Sequence, residues 1–188
     1  MSLREKCIKQ IYKVATGSSR IRTLLTPIGG ILFLLLMMAF IAVSLQVDKF
    51  LRLPKLLLTP FNITVSVPIL AIGLFLMLWS VLHFTKVKGT PVPFNPPPKL
   101  VATGPYAYAR NPMLTGVFIL LFGFGILFRS FSLVFVFTPL FILLNVLELK
   151  VIEEPELEKR LGKEYLEYKK RIPMFIPRLK LRKISYRD

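Results

Sequence analysis

Two stretches of this chain, Pro27 to Val47 and Val65 to Phe84, contain no Asp, Glu, Lys or Arg. Each is about 20 residues long, enough for a helix to cross a hydrocarbon core of roughly 30 Å. In lipid, backbone polar groups must be satisfied internally, so runs like these fold as helices. Two further apolar runs, Met113 to Phe128 and Phe131 to Leu147, are separated only by Arg129-Ser130. One helix over both would be roughly 50 Å long at about 1.5 Å per residue, too long for a single crossing. A tight helical hairpin is predicted instead, with Arg129 snorkelling from its tip. Hydrophobic residues make up 54% of the 188, which excludes a soluble domain of this size. The expected fold is all-α and polytopic, with about four transmembrane helices, the last two forming the hairpin. Residues 1–26 read as a basic amphipathic segment and 27–84 as two membrane helices. The functional region is expected at 85–178, ahead of a basic tail at 179–188.

The net charge of +16 invites a nucleic-acid reading, but its distribution argues against one. With four crossings, the N-terminus, the Lys86–Asn111 loop and the tail lie on one side. They hold 22 of the 26 Lys and Arg residues. That asymmetry places both termini in the cytoplasm and assigns the basic charge to orientation and to membrane lipids. The single cysteine, Cys7, excludes an internal disulfide. Around it Leu3, Ile8, Ile11, Val14 and Ala15 alternate with Lys6, Lys9 and Lys13 at helical spacing. A short interfacial helix is predicted there, with Cys7 on or near its apolar face. The segment lacks a secretory signal's pattern.

Between the second and third runs, Val92-Pro93-Phe94-Asn95-Pro96-Pro97-Pro98 cannot form a regular helix, because proline lacks the amide donor. It reads as extended, either a rigid linker or a cover over a site. Pro112 suits the first position of a helix, with Asn111 as its N-cap, and the helix dipole favours an anion at the Arg110-Asn111 loop. Asn145 and Glu148, three apart, share a face that should turn from lipid. Pro155 is expected to begin a new helix just after Glu153-Glu154, and Gly162 to end it. A last short helix from Lys163 to about Arg171 would put Tyr165 and Tyr168 on one side before Pro173 stops it.

The polar segments before and after the hairpin meet at one membrane face. In order they read Gly89-Thr-Pro-Val-Pro, Pro96-Pro-Pro-Lys-Leu-Val, Gly104-Pro-Tyr, Arg110-Asn-Pro-Met and Gly116, then Glu153-Glu154-Pro, Leu157, Gly162-Lys-Glu-Tyr165, Tyr168 and Ile172-Pro173. This ordered set resembles the isoprenylcysteine carboxyl methyltransferase-like family, which also takes in the phospholipid N-methyltransferases. The resemblance covers about Lys86 to Arg178. It implies S-adenosylmethionine bound at the cytoplasmic end of the helices. A lipophilic or prenylated acceptor is expected, foremost an isoprenylcysteine carboxylate, with a phospholipid amine or another small lipophilic nucleophile left open.

By the same resemblance Tyr106, Arg110, Asn111 and Pro112 belong to a first cofactor segment. Gly116 and Gly123 would allow close approach of the cofactor or of a neighbouring helix. Glu153 and Glu154 form a second segment, and Tyr165 and Tyr168 complete the pocket. Arg171 and Asn111 are the catalytic candidates. Many relatives have His where this chain has Asn111 and an aromatic where it has Leu114.

The chemistry agrees with these residue types. Methyl transfer from a sulfonium needs two reactants held in line and water excluded. Carboxylates suit the cofactor's hydroxyls and ammonium, and a cation suits its carboxylate. The sequence holds no metal-ligand cluster and no Ser-His-Asp or Cys-His set. His83, the single histidine, sits at a membrane helix end, where an interfacial role is expected. Two other readings stay open: a sterol-reductase-like enzyme using a nicotinamide cofactor, and a non-catalytic membrane scaffold.

Overall fold

The structure is a computed structural model describing residues 3–17, 19–86 and 99–176. The proline-rich run at 92–98, the tail at 179–188 and the side chain of Cys7 lie outside the described residues. All regular elements described are helical. They are α1 (Leu3–Ala15), α2 (Ser19–Phe50), α3 (Phe61–Lys86), a 3₁₀ turn (Gly104–Ala107), α4 (Pro112–Leu127), α5 (Thr138–Glu148), α6 (Glu154–Leu161) and α7 (Lys163–Arg171). Three apolar stretches, Leu24–Phe50, Phe61–Phe84 and Leu133–Leu161, are long enough to cross a membrane, and α4 is a shorter apolar helix of 16 residues. The chain is a polytopic α-helical membrane protein.

α3 and α4 form the tightest pair, and glycine sets their distance. A Cβ on Gly116 would lie 2.7 Å from the Met77 amide nitrogen and 2.8 Å from the Gly73 carbonyl oxygen. One on Gly73 would lie 2.9 Å from the Gly116 carbonyl oxygen. These are backbone contacts that no side-chain rotation relieves, the kind of small-residue approach that drives helix association in lipid. Gly123 also faces α3, but there a Cβ would meet side chains, those of Leu70 and Ile69. Both Gly116 and Gly123 are therefore spent on a neighbouring helix.

α2 contributes one stripe, Phe33, Met37, Phe40 and Ile41, to the core of Val117, Phe118, Leu121 and Phe141. Those positions recur at helical spacing. Phe141 takes both Phe33 and Phe40 edge-on, with centroids 5.8 and 5.2 Å away. Both α2 and α3 extend beyond their apolar runs and carry a proline inside, Pro27 and Pro68. Proline is tolerated in membrane helices where neighbouring groups re-satisfy the backbone.

At the hairpin end, polar contacts tie three connections together. Asp48 of α2 accepts hydrogen bonds from the Ser130 hydroxyl and from the Ser132 amide at 2.9 Å. Ser130 Oγ accepts from the Leu133 amide, so it caps the last helix. Arg129, at positive φ in the turn, donates from Nε to the Leu57 carbonyl at 2.6 Å. It is tethered to the α2–α3 connection rather than snorkelling into lipid. Asn62 Nδ2 donates to the Leu127 carbonyl at 2.9 Å, which closes the same knot.

The expected break at Pro155 does not occur. The last helix runs from Leu133 to Leu161 without interruption and contains two π turns, Leu133–Phe137 and Leu149–Glu153. The second lies immediately before Pro155. A wider turn moves the preceding carbonyls away from the ring and needs no amide there, so the helix continues through a residue that would otherwise stop it.

The glycine contact yields a paired test. Gly116→Ala should destabilise the protein by about 1–3 kcal/mol through overpacking. Gly30→Ala, where a Cβ meets nothing within 4 Å, should be neutral or slightly stabilising. Thermal unfolding of the two variants in the same detergent measures the difference.

Candidate functional site

The short α4 leaves room for a site. Gly116 lies against Met77, so Pro112 comes level with about Val81, and α3 overhangs α4 by roughly 7 Å at 1.5 Å per residue. The last helix overhangs on the other side and carries Glu153 and Glu154 beyond the start of α4. The 99–111 segment, α6, α7 and the strap 172–176 fill the step between them.

The α3 overhang anchors the first segment. His83 Nε2 is 2.9 Å from Thr103 Oγ1, and the Phe84 ring meets Tyr106 edge-on with centroids 4.6 Å apart. Gly104, at φ +59°, has the His83 ring where a Cβ would stand, so glycine is required there both for space and for backbone. Tyr106 is buried, and its carbonyl accepts a hydrogen bond from the Tyr168 hydroxyl at 2.7 Å.

The strap secures the other edge. The Arg110 amide donates to the Pro173 carbonyl at 2.9 Å, and the Asn111 amide donates to the Met174 carbonyl at 3.0 Å. Phe175 then reaches down to Phe118, with centroids 5.3 Å apart. Asn111 occupies the N-cap position of α4, but its side chain makes no capping bond. Its carbonyl accepts from the Thr115 amide and hydroxyl, at 3.0 and 2.9 Å. At the loop where the helix dipole is expected to favour an anion, the amides of Arg110 and Asn111 are thus taken up by the strap.

At the centre is a buried charge cluster. Arg110 and Glu154 form an ion pair, with side chains 11% and 7% exposed. Lys169 Nζ reaches Glu154 Oε2 at 2.6 Å and Glu158 Oε1 at 2.9 Å. Arg110 also donates to the Tyr165 hydroxyl at 3.4 Å. The hydrogen bonds that Lys169 donates to Glu154 and Glu158 hold its ammonium above the ordinary range. Burial pushes the Tyr165 phenol up to about 12, with the Glu154 charge adding to it and Arg110 opposing. Tyr106 is raised further, by burial first and then by Tyr168 and Glu153. Both phenols are neutral donors across the physiological range.

The structure brings together Tyr106, Arg110, Glu154, Tyr165 and Tyr168, with Asn111 and Pro112 at the floor and half-buried Glu153 beside them. It does not bring in Arg171, whose side chain is 59% exposed and lies 3.6 Å from Glu167 one helical turn back. α7 turns its tyrosines inward, and Arg171 falls on the exposed flank, about 90° round the helix from them. Lys169 was missed in the sequence, although it lies four residues after Tyr165, on the face that packs inward. The pairing of 110–111 with 173–174 carries no sequence signal, because main-chain atoms make it.

Two polar atoms of the cluster, Arg110 Nε and Tyr106 Oη, are buried with no hydrogen-bond partner among the described residues. Asn62 Oδ1 and Thr138 Oγ1 are also unpartnered but do not belong to the cluster. No group of three His, Cys, Asp or Glu among the described residues is placed to hold a metal ion. A groove of about 460 Å³ lined by Ala42, Val43, Gln46, Val47 and Phe50 lies at the hairpin end of α2, away from this chemistry.

The ion pair separates stability from function. Glu154→Leu alone leaves Arg110 buried without its anion and should cost about 3–5 kcal/mol. Arg110→Met with Glu154→Leu should recover most of that, since apolar groups of similar volume replace a buried pair at little cost. Equilibrium unfolding of the single and double variants checks both outcomes.

Comparison with known proteins bears on the same region. The phospholipid methyltransferase family matches residues 61–164, from the start of α3 into α7. The nickel-cobalt-cadmium resistance protein NccN of Alcaligenes xylosoxydans xylosoxydans is 31% identical over 104 residues, covering 55% of this chain. The chain spans only 44% of that relative's length. No solved structure matches. The matched span contains the α3–α4 glycine contact, the 3₁₀ turn, the Arg110–Glu154 pair and the π turn ahead of Pro155, and the chain belongs to the phospholipid methyltransferase family.

Proposed function

We propose that this chain is an S-adenosylmethionine-dependent membrane methyltransferase acting on a lipophilic acceptor. One observation carries the reading: an ionic cluster with two unpartnered polar atoms, Arg110 Nε and Tyr106 Oη, at the mouth of a short membrane helix. α4 spans roughly 24 Å at 1.5 Å per residue, less than a hydrocarbon core of roughly 30 Å. Its polar start is therefore sunk below the membrane surface, within reach of both water-soluble and lipid-dissolved molecules.

The residues present fit the cofactor. A cationic donor lacking a partner suits a carboxylate, a neutral phenol suits a hydroxyl or a ring nitrogen, and Glu153 offers a carboxylate beside them. Tyr106, Arg110, Glu153, Glu154, Tyr165 and Tyr168 would hold it, with Asn111 and Pro112 at the floor. When bound, S-adenosylmethionine supplies an activated methyl group. The chain's own contribution is position and dryness. The strap and α7 exclude water, and Glu154, fixed by two cations, keeps Arg110 in one orientation.

The acceptor class favoured by the motif resemblance is the isoprenylcysteine carboxylate. An aminophospholipid is the second reading, supported by the family match over residues 61–164. We place the site end and both termini in the cytoplasm, from the 22 cations on that side.

Tyr106→Phe discriminates sharply. Removing an unpartnered buried hydroxyl should stabilise the ligand-free protein by about 1 kcal/mol. It should also weaken S-adenosylhomocysteine binding by about 0.5–1.5 kcal/mol. Calorimetry in detergent, with NADPH titrated in parallel, checks this. Heat with NADPH and none with S-adenosylhomocysteine would move the assignment to a reductase. Arg171→Lys, on the exposed face of α7, should leave methyl transfer within about twofold, because exposed pairs contribute little. A panel of prenylcysteine and aminophospholipid acceptors measures that and names the acceptor.

A further inference from the structure

The N-terminal helix does not lie free on the membrane. Its half-buried residues Ile8, Ile11 and Tyr12 form one face, and α1 packs against α6 and against the π turn Leu149–Glu153. Lys159 of α6 sits over the Tyr12 ring, with Nζ 4.5 Å from the centroid. Ile8 and Ile11, expected to rest on lipid, are thus used against the protein. Lys6, Lys9 and Lys13 are all exposed on the opposite side. At 100° per residue they fall within about 60° of one another, a single basic stripe.

Position limits what this stripe can meet. α1 ends at Ala15, and the apolar part of α2 starts at Leu24, about nine residues on. α2 itself begins at Ser19, so its first turn and a short link are all that separate α1 from the bilayer. At that distance the field of an anionic leaflet, which decays over roughly 8–10 Å, still acts on the lysines.

The turn that α1 touches presents Glu153, and the next residue is Glu154 of the ion pair. We infer that α1 is a brace between the membrane surface and the site: anionic lipid headgroups bind the Lys6–Lys9–Lys13 stripe and hold α1 against the 149–154 turn. The surface charge of the leaflet then sets how firmly that turn is fixed. The contact with Tyr12 transmits the effect, and the lysines sense the charge. This goes beyond the proposed activity and does not depend on which cofactor or acceptor the site takes.

The test uses the full chain in nanodiscs of neutral phosphatidylcholine, or of the same lipid with phosphatidylglycerol, read by amide hydrogen exchange without ligand. Peptides covering residues 149–154 should exchange at least threefold more slowly in the anionic discs. Peptides from the hairpin turn at 128–130 should be unchanged. Lys6→Gln, Lys9→Gln and Lys13→Gln together should abolish the lipid response. Tyr12→Ala should also abolish it, while Tyr12→Phe, which keeps the ring under Lys159, should retain it. Equal exchange at 149–154 in both lipids would overturn the inference, as would a response that survives loss of the three lysines. A response reproduced in neutral discs by inorganic phosphate would overturn the lipid assignment. Because no ligand is present, a failed methyltransferase assay leaves this result standing on its own.

Discussion

The backbone contact between Gly73 and Gly116 is the constraint from which the rest of the architecture follows. In lipid there is little hydrophobic drive to bring two apolar helices together, so close van der Waals approach must supply it. That approach fixes the register of α4 on α3, with Asn62 holding the Leu127 carbonyl at the far end. Since α4 has only 16 residues, the register also fixes where its polar start lies, below the ends of both neighbours. A longer α4 would carry Arg110 out to the surface, and the buried pair with Glu154 could not form in the same place.

Burying that pair is costly, because both ions lose their hydration. The cluster offsets the cost with number and geometry. Glu154 takes two cations, Arg110 and Lys169, and Lys169 is shared with Glu158. Arg110 has a further contact with the Tyr165 hydroxyl. Geometry comes from the π turn, which changes the rotation of the chain after Leu149 and so sets the face on which buried Glu154 lies. Glu156 is met by Arg160 one turn on, at 2.9 Å. A π turn inside an α-helix is marginal in isolation and is found most often where a site needs it.

Much of this was legible in the residues. Charge-free runs gave the membrane helices, and Arg129-Ser130 gave the hairpin, because lipid allows few alternatives to a helix. Tyr165 and Tyr168 were readable as one inward face, and Gly162 as the end of α6. What escaped depends on tertiary support. Pro155 reads as a start signal, which is its usual meaning, but a preceding π turn removes the clash that would enforce it. Arg171 carried the right chemistry for a carboxylate, yet the inward face of α7 was set by Tyr165, Tyr168 and Lys169, which left Arg171 outside. Likewise, the apolar face of α1 was legible, but which surface it would cover was not, because a lipid interface and α6 ask for the same pattern.

The two ends of the bundle differ in how their polar groups are used. At the hairpin end the Ser130 and Ser132 donors are consumed by Asp48, and Arg129 by the α2–α3 connection. Those contacts close a surface. At the site end the ionic core is tightly paired, but two buried atoms, Arg110 Nε and Tyr106 Oη, are left without partners among the described residues. A buried donor without an acceptor costs free energy that selection for stability alone would remove, since phenylalanine fits where Tyr106 stands. A molecule that accepts from both atoms relieves that cost on binding, and the relief adds to its affinity. The cluster is thus tightly paired in its ionic core and unsatisfied at two adjoining atoms. Under the proposed methyl transfer, which depends on alignment and on the absence of water, that division of roles would be the chain's own contribution.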